Sequence, residues 1–267
     1  MENRAVSKEL LPDVHCITDR MNMNMTLLVG KRRALLIDTG YGFDDLPSAV
    51  RKITDAPLTV INTHGHHDHA SGNYLFDHVY IADSDISVCK HYVSVSRPRI
   101  WQQAQSRSIL LDDWTRDDYL EKGCGTLCPL TDFLIDLGGI TAHLINAPGH
   151  TPGSLAVYVP ERRLMLTGDD WNPTTWLFFP EAEGVPELRS SIARLLEQNF
   201  TWILPSHDAM LWPRSTLEIF YQATAPEILQ KHSEDAPHMY PGKQVKVIYL
   251  QPGCSLYFDA EKSFHSR

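Results

Sequence analysis

The sequence predicts an α/β chain that presents its reactive side chains at strand ends, and three observations predict it. Apolar runs of strand length alternate with amphipathic helical faces. Four metal-competent side chains, in His64-Gly65-His66-His67-Asp68-His69, sit directly behind one such run, Leu58-Thr59-Val60-Ile61-Asn62. Three more metal-competent residues each come after a later run at a Gly, Pro or Ser turn.

β-rich runs at Val14 to Thr18, Met25 to Val29 and Ala34 to Ile37, bounded by turn or charged residues, read as an antiparallel start. From Phe43 to Thr54, Leu46, Val50 and Ile53 recur at helical spacing, and Leu58 to Ile61 returns as a fully apolar strand. After a strand at Val79 to Ala82, residues 83–136 read as a largely helical insertion, with stretches at Ile86 to Val95, Arg99 to Leu110 and Thr115 to Lys122. Strands resume at Thr141 to Asn146, Ser154 to Val159 and Arg163 to Leu166, the last two joined by the Pro160-Glu161-Arg162 turn. Pro186 to Gln198 is a helix with Leu188, Ile192, Leu195 and Leu196 on one face and Pro186 in its first turn. Trp202 to Leu204 is a short strand, Ser215 to His232 is helical with an interruption before Pro226, and Val245 to Leu250 with Ser255 to Phe258 forms a terminal hairpin.

The bulk properties narrow the class. A chain of 267 residues, 43% hydrophobic, carries enough apolar matter for one large domain, expected over 1–267 with the insertion at about 83–136. No run approaches the roughly 20 apolar residues of a membrane span, and charges at Glu2, Arg4, Lys8, Glu9 and Asp13 do not suit a secretory signal, so a cytoplasmic protein is expected. A net charge of -9 disfavours nucleic acid, whose phosphates call for clustered Lys and Arg. Five scattered cysteines, Cys16, Cys89, Cys124, Cys128 and Cys254, read as free thiols.

The later candidates share one grammar. They are His150 in Ala147-Pro-Gly-His-Thr-Pro-Gly-Ser154, Asp169 in Leu166-Thr-Gly-Asp169, and His207 in Ile203-Leu-Pro-Ser-His207. Imidazole and carboxylate donors suit zinc and its first-row neighbours. Their recurrence at strand ends points to a shared site at one edge of a sheet.

With these positions in hand, the chain resembles the metallo-β-lactamase fold superfamily, whose mark is His-x-His-x-Asp-His with a His, a Gly-Asp and a His further along. All seven positions match, and the Leu36-Ile37-Asp38-Thr39-Gly40 turn is similar to the family's early strands. The resemblance implies a four-layered αββα sandwich with two divalent ions, zinc by default and manganese or iron as alternatives. It assigns one ion to His64, His66 and His150 and the other to Asp68, His69 and His207, with Asp169 bridging. Asp38 would stand behind the ligands, while His67 and Asp170 would not ligate.

Two ions about 3.5–4 Å apart can share a hydroxide nucleophile and polarise a carbonyl. The resemblance therefore implies a dinuclear hydrolase with Asp68 as the catalytic carboxylate that orients the hydroxide and passes a proton. Asp169 differs from the Cys or Ser of the family's true β-lactamases. No basic motif for glutathione comes after it, as it does in glyoxalase II-like thioesterases. Asn172 stands where quorum-quenching lactonases place a tyrosine. The aromatic segment Trp171 to Pro180 reads as packing or as one wall of a substrate pocket, with Trp101 and Trp114 of the insertion supplying an opposing wall or a homodimer contact. A small lactone, thioester or ester is expected as substrate, with no nucleic-acid or membrane partner. A mono-iron persulfide dioxygenase, a small phosphodiesterase and a β-lactamase are the alternatives.

Overall fold

In the computed structural model, which describes residues 5–110, 115–250 and 253–264, the chain forms two compact units, Met1–Ala142 and His143–Arg267. Trp114 lies outside the described residues.

The first unit opens with β1 (Val6–Leu11), β2 (Val14–Thr18), β3 (Asn24–Val29) and β4 (Ala34–Ile37), an antiparallel meander. β1 was not expected from its sequence, because its side chains are mostly exposed and charged. It is a sheet edge whose backbone pairs with β2 from Val6↔Thr18 onward. Helix α1 (Leu46–Arg51) then carries the chain to β5 (Leu58–Ile61), parallel to β4. The expected helix over 43–54 is trimmed at its start because Asp44 is held by Arg20 in a buried ion pair of 2.7 Å and Asp45 caps the Ser48 N–H.

Short helix α2 (His67–Ala70), strand β6 (Val79–Ile81), helix α3 (Ile86–Ser106), helix α4 (Arg116–Leu120) and strands β7 (Leu127–Pro129) and β8 (Leu134–Asp136) complete this unit. Its sheet runs β1-β2-β3-β4-β5-β6-β7. Two expectations for residues 83–136 need correction. The two helices anticipated on either side of Pro98 are one continuous helix of 21 residues. A proline inside a helix costs about 3 kcal/mol, offset here by a face on which Val93, Arg97, Ile100, Trp101 and Ala104 are all buried. The segment expected to be a largely helical insertion also carries strand, since β7 extends the main sheet in parallel with β6. Trp101, 7% exposed, packs with Phe43 and Tyr119, which makes it core of this unit.

The second unit contains β9 (Thr141–Asn146), β10 (Leu155–Val159), β11 (Leu164–Gly168), β12 (Thr174–Leu177), α5 (Val185–Leu196), β13 (Trp202–Pro205), β14 (Trp212–Pro213), α6 (Arg214–Ala223), α7 (Pro226–His232), β15 (Glu234–Asp235), β16 (Val245–Leu250), β17 (Cys254–Asp259) and α8 (Ala260–Phe264). Within this unit the strands of one sheet run β14-β13-β11-β10-β9 and those of another β12-β17-β16-β15. The turn between β10 and β11 closes with Arg163 in the left-handed region, φ 47°. Leu188, Ile192 and Leu195 of α5 face a core that includes Met165, Ile203, Phe220, Leu256 and Phe258. The terminal hairpin of β16 and β17 pairs as anticipated, but β12 falls inside the aromatic segment read as a loop. Its backbone runs parallel to β17 from Thr174↔Ser255 to Leu177↔Phe258. No helix among the described residues is long and apolar enough to cross a membrane.

Candidate metal centre

In the first unit, β5 ends at Ile61 and the chain passes through Asn62 and Thr63 into the histidine motif. His64 and His66 precede α2, whereas Asp68 and His69 lie within it. The turn is tight because Gly65 abuts α3: a Cβ at this position would lie 2.6 Å from the Cys89 nitrogen and 2.9 Å from the Asp85 carbonyl oxygen. The Gly65 N–H also donates to the buried Asp85 carboxylate at 2.7 Å. Only a residue without a side chain fits there.

Asp38, 1% exposed and in the left-handed region with φ 66°, anchors the motif from behind. Its Oδ1 accepts the Thr63 N–H at 2.7 Å, and its Oδ2 accepts the Thr63 hydroxyl and His69 Nδ1, both at 2.8 Å. A carboxylate only accepts, so His69 carries its proton on Nδ1 and offers a lone pair at Nε2. The same logic passes through Thr63. Its single hydroxyl proton goes to Asp38, so its oxygen accepts from His64 Nδ1 at 3.1 Å, and His64 too is left with an Nε2 lone pair. The ligand-competent atoms of His64 and His66, of His64 and His69, and of Asp68 and His69 lie within 4.8 Å of one another. His69 Nε2 and Asp68 Oδ2 face each other at 3.9 Å. His67 instead packs edge-on against Tyr41 at 5.9 Å, and burial pushes its pKa down.

In the second unit, His150 comes after the Pro148-Gly149 turn, Asp169 after β11, and His207 after β13. His150 Nδ1 donates to the Trp176 carbonyl oxygen at 2.7 Å, so its Nε2 also bears a lone pair; this atom lies 3.6 Å from Asp169 Oδ2. His207 Nε2 hydrogen-bonds to the same oxygen at 3.1 Å, donating to the carboxylate, with its side chain 39% exposed. Asn172 braces two of these groups at once: its Nδ2 donates to Asp169 Oδ1 at 3.0 Å and its Oδ1 accepts the His207 N–H at 3.1 Å. Asp170 is fully buried, and its Oδ1 accepts the His150 N–H at 3.1 Å.

Thr63, Asn172 and the Trp176 carbonyl were not singled out by sequence reasoning as supports of ligands. Asn172 had a signal, its place three residues after Asp169, but was read only as a departure from a lactonase pattern. A backbone carbonyl such as that of Trp176 leaves no mark in residue type. In each unit, then, an imidazole Nε2 faces a carboxylate oxygen, a pairing that a shared proton or a shared cation stabilises. Those donors are hard-to-borderline nitrogens and oxygens, and they fit a divalent first-row metal.

Such strand ends bearing imidazoles and carboxylates on an α/β frame define a metal-binding protein. Residues 19–170 match the model of the metallo-β-lactamase superfamily, and the chain belongs to that family. It is 22% identical over 201 residues to the human (Homo sapiens) acyl-coenzyme A thioesterase MBLAC2, covering 69% of this chain and 72% of that protein. Among solved structures, it is similar to a metallo-β-lactamase from Pontibacter korlensis, with a TM-score of 0.57 and 17% identity over 86% of this chain and all of that one. It also resembles TTHA1623 in a di-iron-bound form, with a TM-score of 0.54 and 22% identity over 78% of this chain and 96% of that one. These likenesses bear out the expected fold.

Proposed function

We propose that this protein hydrolyses a thioester with the help of two divalent ions, zinc in the first instance. The chain is an enzyme, a metal-dependent hydrolase. The observation that carries the reading is the gathering of ligand-competent imidazole and carboxylate atoms in each unit, with His69 Nε2 3.9 Å from Asp68 Oδ2 and His150 Nε2 3.6 Å from Asp169 Oδ2. The family pattern, carried onto this sequence, makes His64, His66 and His150 ligands of one ion, Asp68, His69 and His207 ligands of the other, and Asp169 shared. Ions so held would lower the pKa of a bound water and polarise the substrate carbonyl.

The protein's own groups do the rest. Asp38 and Thr63 hold His64 and His69 in the Nδ1–H form, and the Trp176 carbonyl does the same for His150. Asp68, 17% exposed at its side chain, is the carboxylate suited to accept a proton from attacking water and return it to the leaving thiolate. Thioester is favoured over lactone and β-lactam because the relatives named as acyl-coenzyme A thioesterases align with this chain over 201 and 198 residues, at 22% and 25% identity. Asp169 also departs from the β-lactamase pattern.

The test is a metal-replete panel of an acyl-coenzyme A, a lactone, a β-lactam and a chromogenic phosphodiester, run beside Asp68→Ala. Thiol release from the thioester, lost in the variant, is the expected result. Turnover of another class with the thioester untouched would overturn the reading, as would one iron per chain with oxygen consumption on a persulfide.

A further inference from the structure

The residue that fixes the His150 tautomer also presents an exposed aromatic surface. Along β12 the side chains alternate, with Thr175 and Leu177 buried and Trp176 turned out, 43% exposed. The Trp176 carbonyl accepts from His150 while its indole joins a run of rings that begins at the same histidine. Phe179 sits edge-on to His150 at 5.8 Å and lies 6.3 Å from Trp176. Tyr240, from the segment before β16, closes on Phe178 at 6.0 Å and Phe179 at 6.4 Å. Phe178, 2% exposed, is the footing on which the others rest.

The pairing of β12 with β17 over four residues holds this surface in place. The polar atoms on these four rings are the Trp176 indole N–H and the Tyr240 hydroxyl, so the wall offers contact area with little to hydrogen-bond. A surface of that kind suits an unfunctionalised hydrocarbon, and its near end is the imidazole of a candidate ligand.

We propose that Trp176, Phe179 and Tyr240 form the acyl-chain subsite. The aliphatic chain of a thioester lies along the rings with its carbonyl carbon toward His150, and chain length is read by the aromatic area that the chain covers. This inference rests on the thioesterase reading. It goes further by making medium and long acyl chains the preferred substrates and Trp176 a specificity-determining residue.

Each methylene laid against such a wall contributes roughly three- to fourfold in affinity, so loss of an indole that covers about two of them costs about tenfold. The experiment compares wild type, Trp176→Ala and Trp176→Phe, with Tyr240→Ala as a second probe if Trp176→Ala melts early. Two readouts are taken. One is the ratio of kcat/KM for octanoyl- over acetyl-coenzyme A. The other is calorimetric binding of the non-hydrolysable S-octyl and S-ethyl thioethers of coenzyme A. Expected are a fall of about tenfold in the octanoyl-to-acetyl ratio and in the octyl-to-ethyl binding ratio for Trp176→Ala, with most of both retained in Trp176→Phe. Equal losses for short and long chains, or an unchanged octyl-to-ethyl binding ratio, would overturn the proposal. If wild type cleaves no thioester of any length, the thioesterase reading falls, and the thioether ratios still decide the wall.

Discussion

Asp38→Asn isolates the contribution of one buried carboxylate, because asparagine is nearly isosteric and tolerates the left-handed φ of 66° at this position. Asp38 receives three donors: the Thr63 N–H at 2.7 Å, and the Thr63 hydroxyl and His69 Nδ1, each at 2.8 Å. An asparagine has one acceptor oxygen and an NH2 group. If the oxygen keeps the Thr63 N–H, the NH2 faces the imidazole, and a donor meets a donor unless His69 moves its proton to Nε2. One lost charge-assisted hydrogen bond in a site 1% exposed costs about 1.5–3 kcal/mol of folded stability. The tautomer change costs more in function, since a proton on Nε2 removes the lone pair proposed to bind metal, and the loss of such outer partners weakens metal affinity about 10–100-fold. Chelator-competition titration with zinc measures that affinity, and chemical denaturation in chelator measures stability without metal. A variant that binds zinc as tightly as wild type, with the imidazole still protonated at Nδ1 by nitrogen NMR, would refute the tautomer argument.

Other contacts carry outcomes of their own. Asn172→Ala leaves Asp169 Oδ1 and the His207 N–H without their shared brace; metal affinity should drop about 10–100-fold with the fold intact by circular dichroism, and an unchanged chelator competition would show that the brace is idle. Arg97→Ala removes a buried guanidinium that donates to the carbonyls of Ser71 and Gly123 and lies over the Tyr119 ring at 4.7 Å. Urea denaturation should show a loss of about 3 kcal/mol or more, and a loss under about 1 kcal/mol would contradict the role. A hydrogen bond from the Cys89 thiol pulls Cys124 down to about 6, so its thiolate fraction, and with it iodoacetamide alkylation, should rise as pH climbs through about 6 and level off above about 7. Cys89→Ala removes the donor and should move that midpoint upward toward the ordinary thiol range of about 8.5; an unmoved midpoint would exclude the pairing.

What could be read from the sequence was what repeats with a physical period or a fixed ligand spacing. The apolar runs of β2 to β5 and the face of α5 carried their own signal, as did the histidine motif behind β5. β1 was hidden because an edge strand is held by backbone pairing with β2 while its side chains stay charged and exposed. The break expected at Pro98 did not occur, because local propensity lost to the burial of Ile100, Trp101 and Ala104 beyond it. β12 was masked by its composition: an aromatic stretch with two threonines pairs with β17, a strand about 80 residues later, and nothing local announces so distant a partner. The same limit applied at the site. The motif supplied its candidate ligands, but not the carbonyl of Trp176 or the double hold of Asn172, because those depend on where the backbone goes.

That division bears on how the ligands are made ready. In the first unit, Asp38 and Thr63 orient His64 and His69 through hydrogen bonds that begin and end within that unit. In the second, the Trp176 carbonyl and Asp170 hold His150, and Asn172 holds Asp169 and the His207 backbone N–H. In each half an imidazole Nε2 faces a carboxylate oxygen, 3.9 Å apart in one and 3.6 Å in the other. Like-charged or lone-pair contacts in a partly desolvated place are relieved by a proton or by a metal. Added zinc should therefore raise the melting temperature of wild type more than that of Asp68→Ala or Asp169→Ala, in which the opposed carboxylate is gone, and an equal gain in all three would mean that the paired acceptors are not what zinc relieves.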